Sequence, residues 1–196
     1  MHEQKLTAES LALVGMPGCG KSTVGRHLAR QLAWRFVDSD HEIEHRIGGS
    51  IRTYFERQGE AAFRDLEQQT ITALSGQAGT VLATGGGTVL REANRQALRQ
   101  GGKVVYLRST PEELFRRLRH DTQRPLLQVR DPLKRLRDLY RERDPLYRDA
   151  ADYVIETGRP SVHNLVNMIL MQLELAGMID PTLVPATVGR VLPPAV

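Results

Sequence analysis

The sequence predicts an α/β domain built on a parallel sheet of five strands with helices on both faces. Three observations predict it. Five short apolar runs alternate with segments of helical periodicity. The first run leads into Gly15-Met16-Pro17-Gly18-Cys19-Gly20-Lys21-Ser22, which fits the phosphate-loop pattern G-x-x-x-x-G-K-[ST] at every fixed position. Apolar and charged fractions of 40% and 26% are those of an ordinary globular chain, and 196 residues suffice for one domain with tails.

Residues 1–10 read as a flexible N-terminal lead. Leu11-Ala12-Leu13-Val14 is wholly apolar, as a strand buried on both faces must be. After the loop, Val24, Leu28 and Leu32 recur at helical spacing from Lys21 onward. Strand, glycine loop and helix together make a polyphosphate cradle. Glycines let N–H groups turn inward, the helix N-terminus adds partial positive charge, Lys21 can reach the β- and γ-phosphates, and the Ser22 hydroxyl can ligate Mg²⁺. Cys19, the single cysteine, has no internal disulfide partner and reads as a small residue at a variable position of the loop.

Arg35-Phe36-Val37 is the second strand, ending in Asp38-Ser39-Asp40 where open α/β sheets place their ligands. Asp40 is expected to cap a helix from His41 to Ile47; beside a phosphate loop, a metal or substrate role for the two acids carries equal weight. Gly48-Gly49 ends that helix, Ser50 opens another, and Gly59 interrupts it before a stripe of Phe63, Leu66, Ile71 and Leu74. By spacing alone, Arg64 and Glu67 form an i, i+3 ion pair on the helix surface.

Val81-Leu82-Ala83 is the third strand and runs into Thr84-Gly85-Gly86-Gly87, a backbone that must approach something closely or take positive φ. A helix spans Arg91 to Arg99, and Val104-Val105-Tyr106-Leu107 is the fourth strand. Thr110-Pro111-Glu112-Glu113 is a capping-box start for the next helix. From His120 to Arg130 the apolar pattern fails, which predicts a mobile lid. Asp131-Pro132 restarts a helix that Asp144-Pro145 is expected to bend or end. Tyr153-Val154-Ile155 is the last strand, and Ser161 caps a long helix. The domain is thereby placed at 11–177, with 178–196 a Pro-containing C-terminal tail.

Nothing approaches the roughly 18 consecutive apolar residues of a membrane span, and the polar start carries no secretory pattern, so a cytoplasmic protein is expected. The net charge of +4 does not point to nucleic acid, because the arginines between Arg108 and Arg148 alternate with acids. A monomer is the default.

Together these stretches resemble the shikimate kinase family. The resemblance is carried by the loop at 15–22, Phe36-Val37-Asp38-Ser39-Asp40, Phe55-Glu56-Arg57-Gln58-Gly59-Glu60 ending in Phe63-Arg64, Gly85-Gly86-Gly87, Arg124-Pro125-Leu126-Leu127 and Arg143-Asp144-Pro145-Leu146-Tyr147, in the family's order and over residues 10–176. It implies a three-layer, nucleoside-monophosphate-kinase-like P-loop domain with a mobile lid. The implied reaction converts ATP and shikimate to ADP and shikimate 3-phosphate, in aromatic amino acid biosynthesis. It further implies that Gly18, Cys19, Gly20, Lys21, Ser22, Thr23 and Arg124 bind ATP, with Arg117 and Arg159 near the adenine. Asp40, Arg64, Gly86 and Arg143 would bind shikimate, Ser22 and (through water) Asp38 would hold Mg²⁺, and Lys21, Asp40 and Arg124 would be catalytic. The alternatives are a gluconate or nucleoside monophosphate kinase of the same fold, or a nucleotide-binding module without turnover.

Overall fold

The computed structural model describes residues 10–119 and 129–183; residues 120–128 of the predicted lid, Arg124 among them, lie outside the described residues. Five strands, β1 (Ser10–Val14), β2 (Arg35–Asp38), β3 (Thr80–Ala83), β4 (Gly102–Arg108) and β5 (Tyr153–Glu156), form one sheet in the order β2-β3-β1-β4-β5. Every pairing is parallel, with Leu11 opposite Val81 on one side of β1 and Lys103 on the other. β1 is buried along its whole length at the sheet's centre, which is why its sequence is an apolar run without alternation.

Helices α1 (Lys21–Leu32) and α7 (Val162–Leu175) pack together on one face. On the other, α3 (Ile51–Leu74) packs on α4 (Glu92–Gly101), and α4 on α6 (Pro132–Ala150). The short α2 (Ser39–Ile47) lies along α3, and α5 (Pro111–Leu118) along α6. Gly59 has non-helical φ/ψ of 83° and 173°, so α3 is two helical pieces meeting at the expected interruption. The capping box of α5 is present in both directions.

Three local expectations are corrected. Asp38, not Asp40, caps α2, accepting from the Asp40 N–H at 3.1 Å. The helix starts early because Ser39 is itself buried, its hydroxyl accepting from Gly85 N–H at 3.0 Å. Secondly, α6 continues through Pro145 to Ala150. Buried Leu136 and Leu139 before the proline and Tyr147 and Ala150 after it hold both halves to the core, offsetting an interior proline's cost of about 3 kcal/mol. Thirdly, Glu67 is not a surface residue, being only 1% exposed. Past Gly177, the chain turns so that Met178 and Ile179 join the core.

Candidate active site

The C-terminal ends of β1 and β3 open on one cleft, at the point where the connections leaving these two neighbouring strands run in opposite directions, from β1 to β2 and from β3 to β4, the usual ligand position of such sheets. The cleft has a volume of about 510 Å³ and is lined by Gly18, Lys21, Ser22, Asp40, Gly86 and Arg117, among others. Its floor is the phosphate loop. Gly20 holds φ at +102° with free space where a side chain would lie, so the backbone angle and not crowding selects glycine there. Lys21 is buried, and its Nζ donates to the carbonyls of Gly15 at 2.8 Å and Met16 at 3.0 Å. Cys19 lies under the loop, 1% exposed, its N–H donating to Met16 O at 3.2 Å. Thr23 is exposed.

Ser22 Oγ donates to Asp38 Oδ2 at 2.6 Å. The two expected metal ligands, one hydroxyl and one carboxylate, are therefore adjacent, and both are the hard oxygen donors that Mg²⁺ takes. No cluster of three or more His, Cys, Asp or Glu suited to a metal occurs among the described residues.

The far wall is made by the glycine triplet, whose backbone other groups approach closely at all three positions, most rigidly at Gly86. A Cβ on Gly85 would stand 2.6 Å from Asp40 Oδ1, on Gly86 2.7 Å from the Pro17 ring, and on Gly87 2.5 Å from Arg64 Nη1. Asp40, Arg64 and the phosphate loop are thus gathered around one stretch of bare backbone. Arg64 Nη1 donates to Glu67 Oε2 at 3.3 Å, and Glu67 Oε1 accepts from Thr88 Oγ1 at 2.9 Å. From the other end of the chain, Arg143 Nη1 and Tyr147 OH both donate to Gly86 O, at 3.1 and 2.6 Å.

Desolvation in this recess is the main force on Asp40, with the negative charge of Asp38 second, and its pKa is pushed up to about 6. More than a third of its surface still meets solvent, because the carboxylate is crowded by protein yet opens onto the cleft. Burial likewise pushes the Tyr147 phenol up, keeping it a neutral donor.

Arg117 reaches the cleft, with its guanidinium held by the Thr157 carbonyl. Arg159 is exposed and does not line it. Sequence reasoning missed Glu67, Thr88 and Tyr147 as parts of this constellation. For Glu67 a signal existed: Phe63, Glu67, Thr70, Ile71 and Leu74 are the buried residues of the second half of α3, so an acid stands at a position of the apolar stripe.

A three-layer parallel sheet, a lysine-bearing phosphate loop and an acidic, arginine-rimmed recess beside it define a P-loop kinase domain. The chain belongs to the shikimate kinase family, whose model matches residues 17–174. It is 61% identical to a shikimate kinase of Paracidovorax citrulli over 176 residues, 88% of this chain and 96% of that one. A Burkholderia lata shikimate kinase is also 61% identical, over 85% of this chain and 90% of its own. The structure of a shikimate kinase from Acinetobacter baumannii in complex with shikimate superposes with a TM-score of 0.82 at 46% identity, covering 89% of this chain and 97% of that one.

Proposed function

We propose that the chain transfers the γ-phosphoryl group of ATP to the 3-hydroxyl of shikimate, giving ADP and shikimate 3-phosphate. The observation that carries this reading is the meeting, at Gly85-Gly86-Gly87, of a phosphate loop with Asp40, Arg64 and Arg143, in a chain 61% identical to a named shikimate kinase. Phosphoryl transfer asks the protein mainly to align a hydroxyl with the γ-phosphorus and to neutralise charge on the transferring oxygens. The loop N–H groups of Gly18 through Thr23 and the Lys21 ammonium hold the polyphosphate, Lys21 exchanging its two carbonyl partners for phosphate oxygens. Asp40 orients the acceptor hydroxyl and takes its proton; a carboxylate with a pKa of about 6 is ionised at neutral pH yet basic enough to share that proton. Arg64 and Arg143 bind the acceptor's carboxylate through charge-assisted hydrogen bonds worth about 1.5–3 kcal/mol each.

Ser22 Oγ, with Asp38 acting through water, would hold Mg²⁺ beside the phosphate loop. That ion supplies positive charge to the oxygens of the transferring group. Arg124 is assigned to the same neutralisation from the lid, and Arg117 to the adenine edge. We read the chain as a cytoplasmic monomer that needs neither nucleic acid nor membrane; no described helix is long and apolar enough to cross a bilayer.

The test is ADP release by the purified protein with ATP and Mg²⁺, offering shikimate, gluconate and nucleoside monophosphates in turn. Release should follow shikimate alone. Release that follows a nucleoside monophosphate or gluconate and ignores shikimate rejects the acceptor assignment, and ATP binding without turnover on any acceptor favours a non-catalytic module.

A further inference from the structure

Helix α6 delivers Arg143 and Tyr147 to Gly86, but Asp144, which follows Arg143 in the motif, faces elsewhere. Asp144 reaches strand β4: its Oδ1 accepts from Tyr106 OH at 2.9 Å and from Arg108 Nε at 3.3 Å, while Oδ2 accepts from Arg148 Nε at 2.8 Å. Arg108 is in turn fixed by Tyr140 OH at 2.7 Å and by Glu156 of β5 at 2.7 Å. Through one carboxylate the helix is joined to β4, and Arg108 carries the link on to β5. Tyr106 is wholly buried, its ring 4.9 Å from that of Tyr147, and it sits opposite Val14, the last residue before the phosphate loop.

The helix needs such a tie at this turn. Pro145 has no N–H to give the Arg141 carbonyl, and its ring crowds that carbonyl, so the turn bearing Arg143 lacks part of its own ladder. Arg143 has a second weakness, since its Nε is buried without a partner. Burial alone would raise the Asp144 pKa, but hydrogen bonds from Arg148, Tyr106 and Tyr140 hold it below the ordinary carboxylate range, so the tie is charged at neutral pH.

We propose that Asp144 is a positioning residue for the acceptor site: its bonds to Tyr106 and Arg108 fix the proline-interrupted turn of α6 and thereby aim the Arg143 guanidinium at the acceptor's carboxylate. The proposal rests on the reading of Arg143 given above. It concerns substrate binding through a neighbour, not contact with substrate.

Steady-state kinetics of the full chain with ATP, Mg²⁺ and shikimate test it. Asp144→Ala should raise the KM for shikimate about tenfold while leaving kcat and the KM for ATP within about threefold. Asp144→Asn keeps an oxygen within reach of Tyr106 and Arg108 and should bring the shikimate KM back to within about threefold of the native value. In an Arg143→Ala background, Asp144→Ala should add less than about twofold, because the group it positions is gone. An unchanged shikimate KM in Asp144→Ala, or a full tenfold rise on top of Arg143→Ala, overturns the proposal. If Asp144→Ala does not fold, Tyr106→Phe takes its place; it should raise the shikimate KM at least about threefold, only when Arg143 is present, and no rise overturns the proposal. Should Arg143→Ala alone leave that KM unchanged, the acceptor role of Arg143 fails; a raised KM there with a flat Asp144→Ala rejects the positioning role alone.

Discussion

Asp40 carries opposite demands, and pH separates them. Its folded pKa of about 6 lies above the unfolded value of 3.8, so between those limits the native state binds the proton more tightly than the unfolded chain does. Its contribution to stability is therefore fully present below about pH 4 and is lost as pH rises through about 6. At neutral pH the ionised carboxylate opposes folding while serving catalysis. Asp40→Asn should accordingly raise Tm at pH 7, with the gain shrinking as the pH falls below 6, and should lower kcat by at least about a hundredfold. The native kcat/KM for shikimate should drop about tenfold per pH unit below roughly 6; a flat acidic limb with unchanged Asp40→Asn activity would remove Asp40 from proton transfer. Residue types were legible in the sequence wherever chemistry announces itself, as at Lys21, Ser22 and the two acids Asp38 and Asp40 where β2 gives way to α2. Glu67 was only half legible: it stands on the apolar face of α3, but spacing alone cannot tell an exposed i, i+3 pair from a buried carboxylate that braces Arg64 and Thr88.

At the scale of elements, the glycine triplet after β3 decides whether donor and acceptor halves can share a cleft. Gly86→Ala would set a methyl group 2.7 Å from the Pro17 ring and 3.2 Å from its backbone nitrogen. Overpacking of this kind costs about 1–3 kcal/mol, a Tm drop of about 2–12 °C. The same push displaces the loop and the carbonyl that Arg143 and Tyr147 share, so kcat/KM should fall about a hundredfold; near-native kinetics would show that the loop yields freely. The central strands β1, β3 and β4 were readable as apolar runs because both of their faces are covered, which leaves no room for polar alternation, whereas the edge strands β2 and β5 are only partly buried. What misled was local grammar against tertiary packing. Pro145 reads as a bend or an end, and the ending does not occur, because Leu136, Leu139, Tyr147 and Ala150 are all buried by the same helix. The triplet's own meaning was half legible, since three glycines announce either positive φ or close approach, and only the positions of Asp40, Pro17 and Arg64 decide between them.

For the whole molecule, the limit of the folded unit lies past the end of the shikimate kinase match at residue 174. Met178 and Ile179 are 6% and 5% exposed, and burying such side chains contributes about 1.5–3 kcal/mol each. A chain ending at Gly177 should melt at least about 6 °C below the full chain. One ending at Leu183 keeps both and should melt within about 2 °C; an equal loss in both truncations would place stabilising contacts beyond 183. The composition change after Gly177 marked the boundary a few residues early because proline content is visible in a sequence and packing is not.

The sheet order also carries a consequence for synthesis on the ribosome. β1 is made first, yet its hydrogen-bonded neighbours are β3 and β4, so Leu11 waits for Val81, some 70 residues later. At bacterial-like elongation rates of about 5–20 residues per second, Leu11-Ala12-Leu13-Val14 spends about 4–14 s as an unpaired apolar strand on the nascent chain. The segment that ends buried along its whole length at the centre of the sheet begins as exposed apolar surface with unpaired backbone, the kind of surface that invites aggregation until β3 emerges.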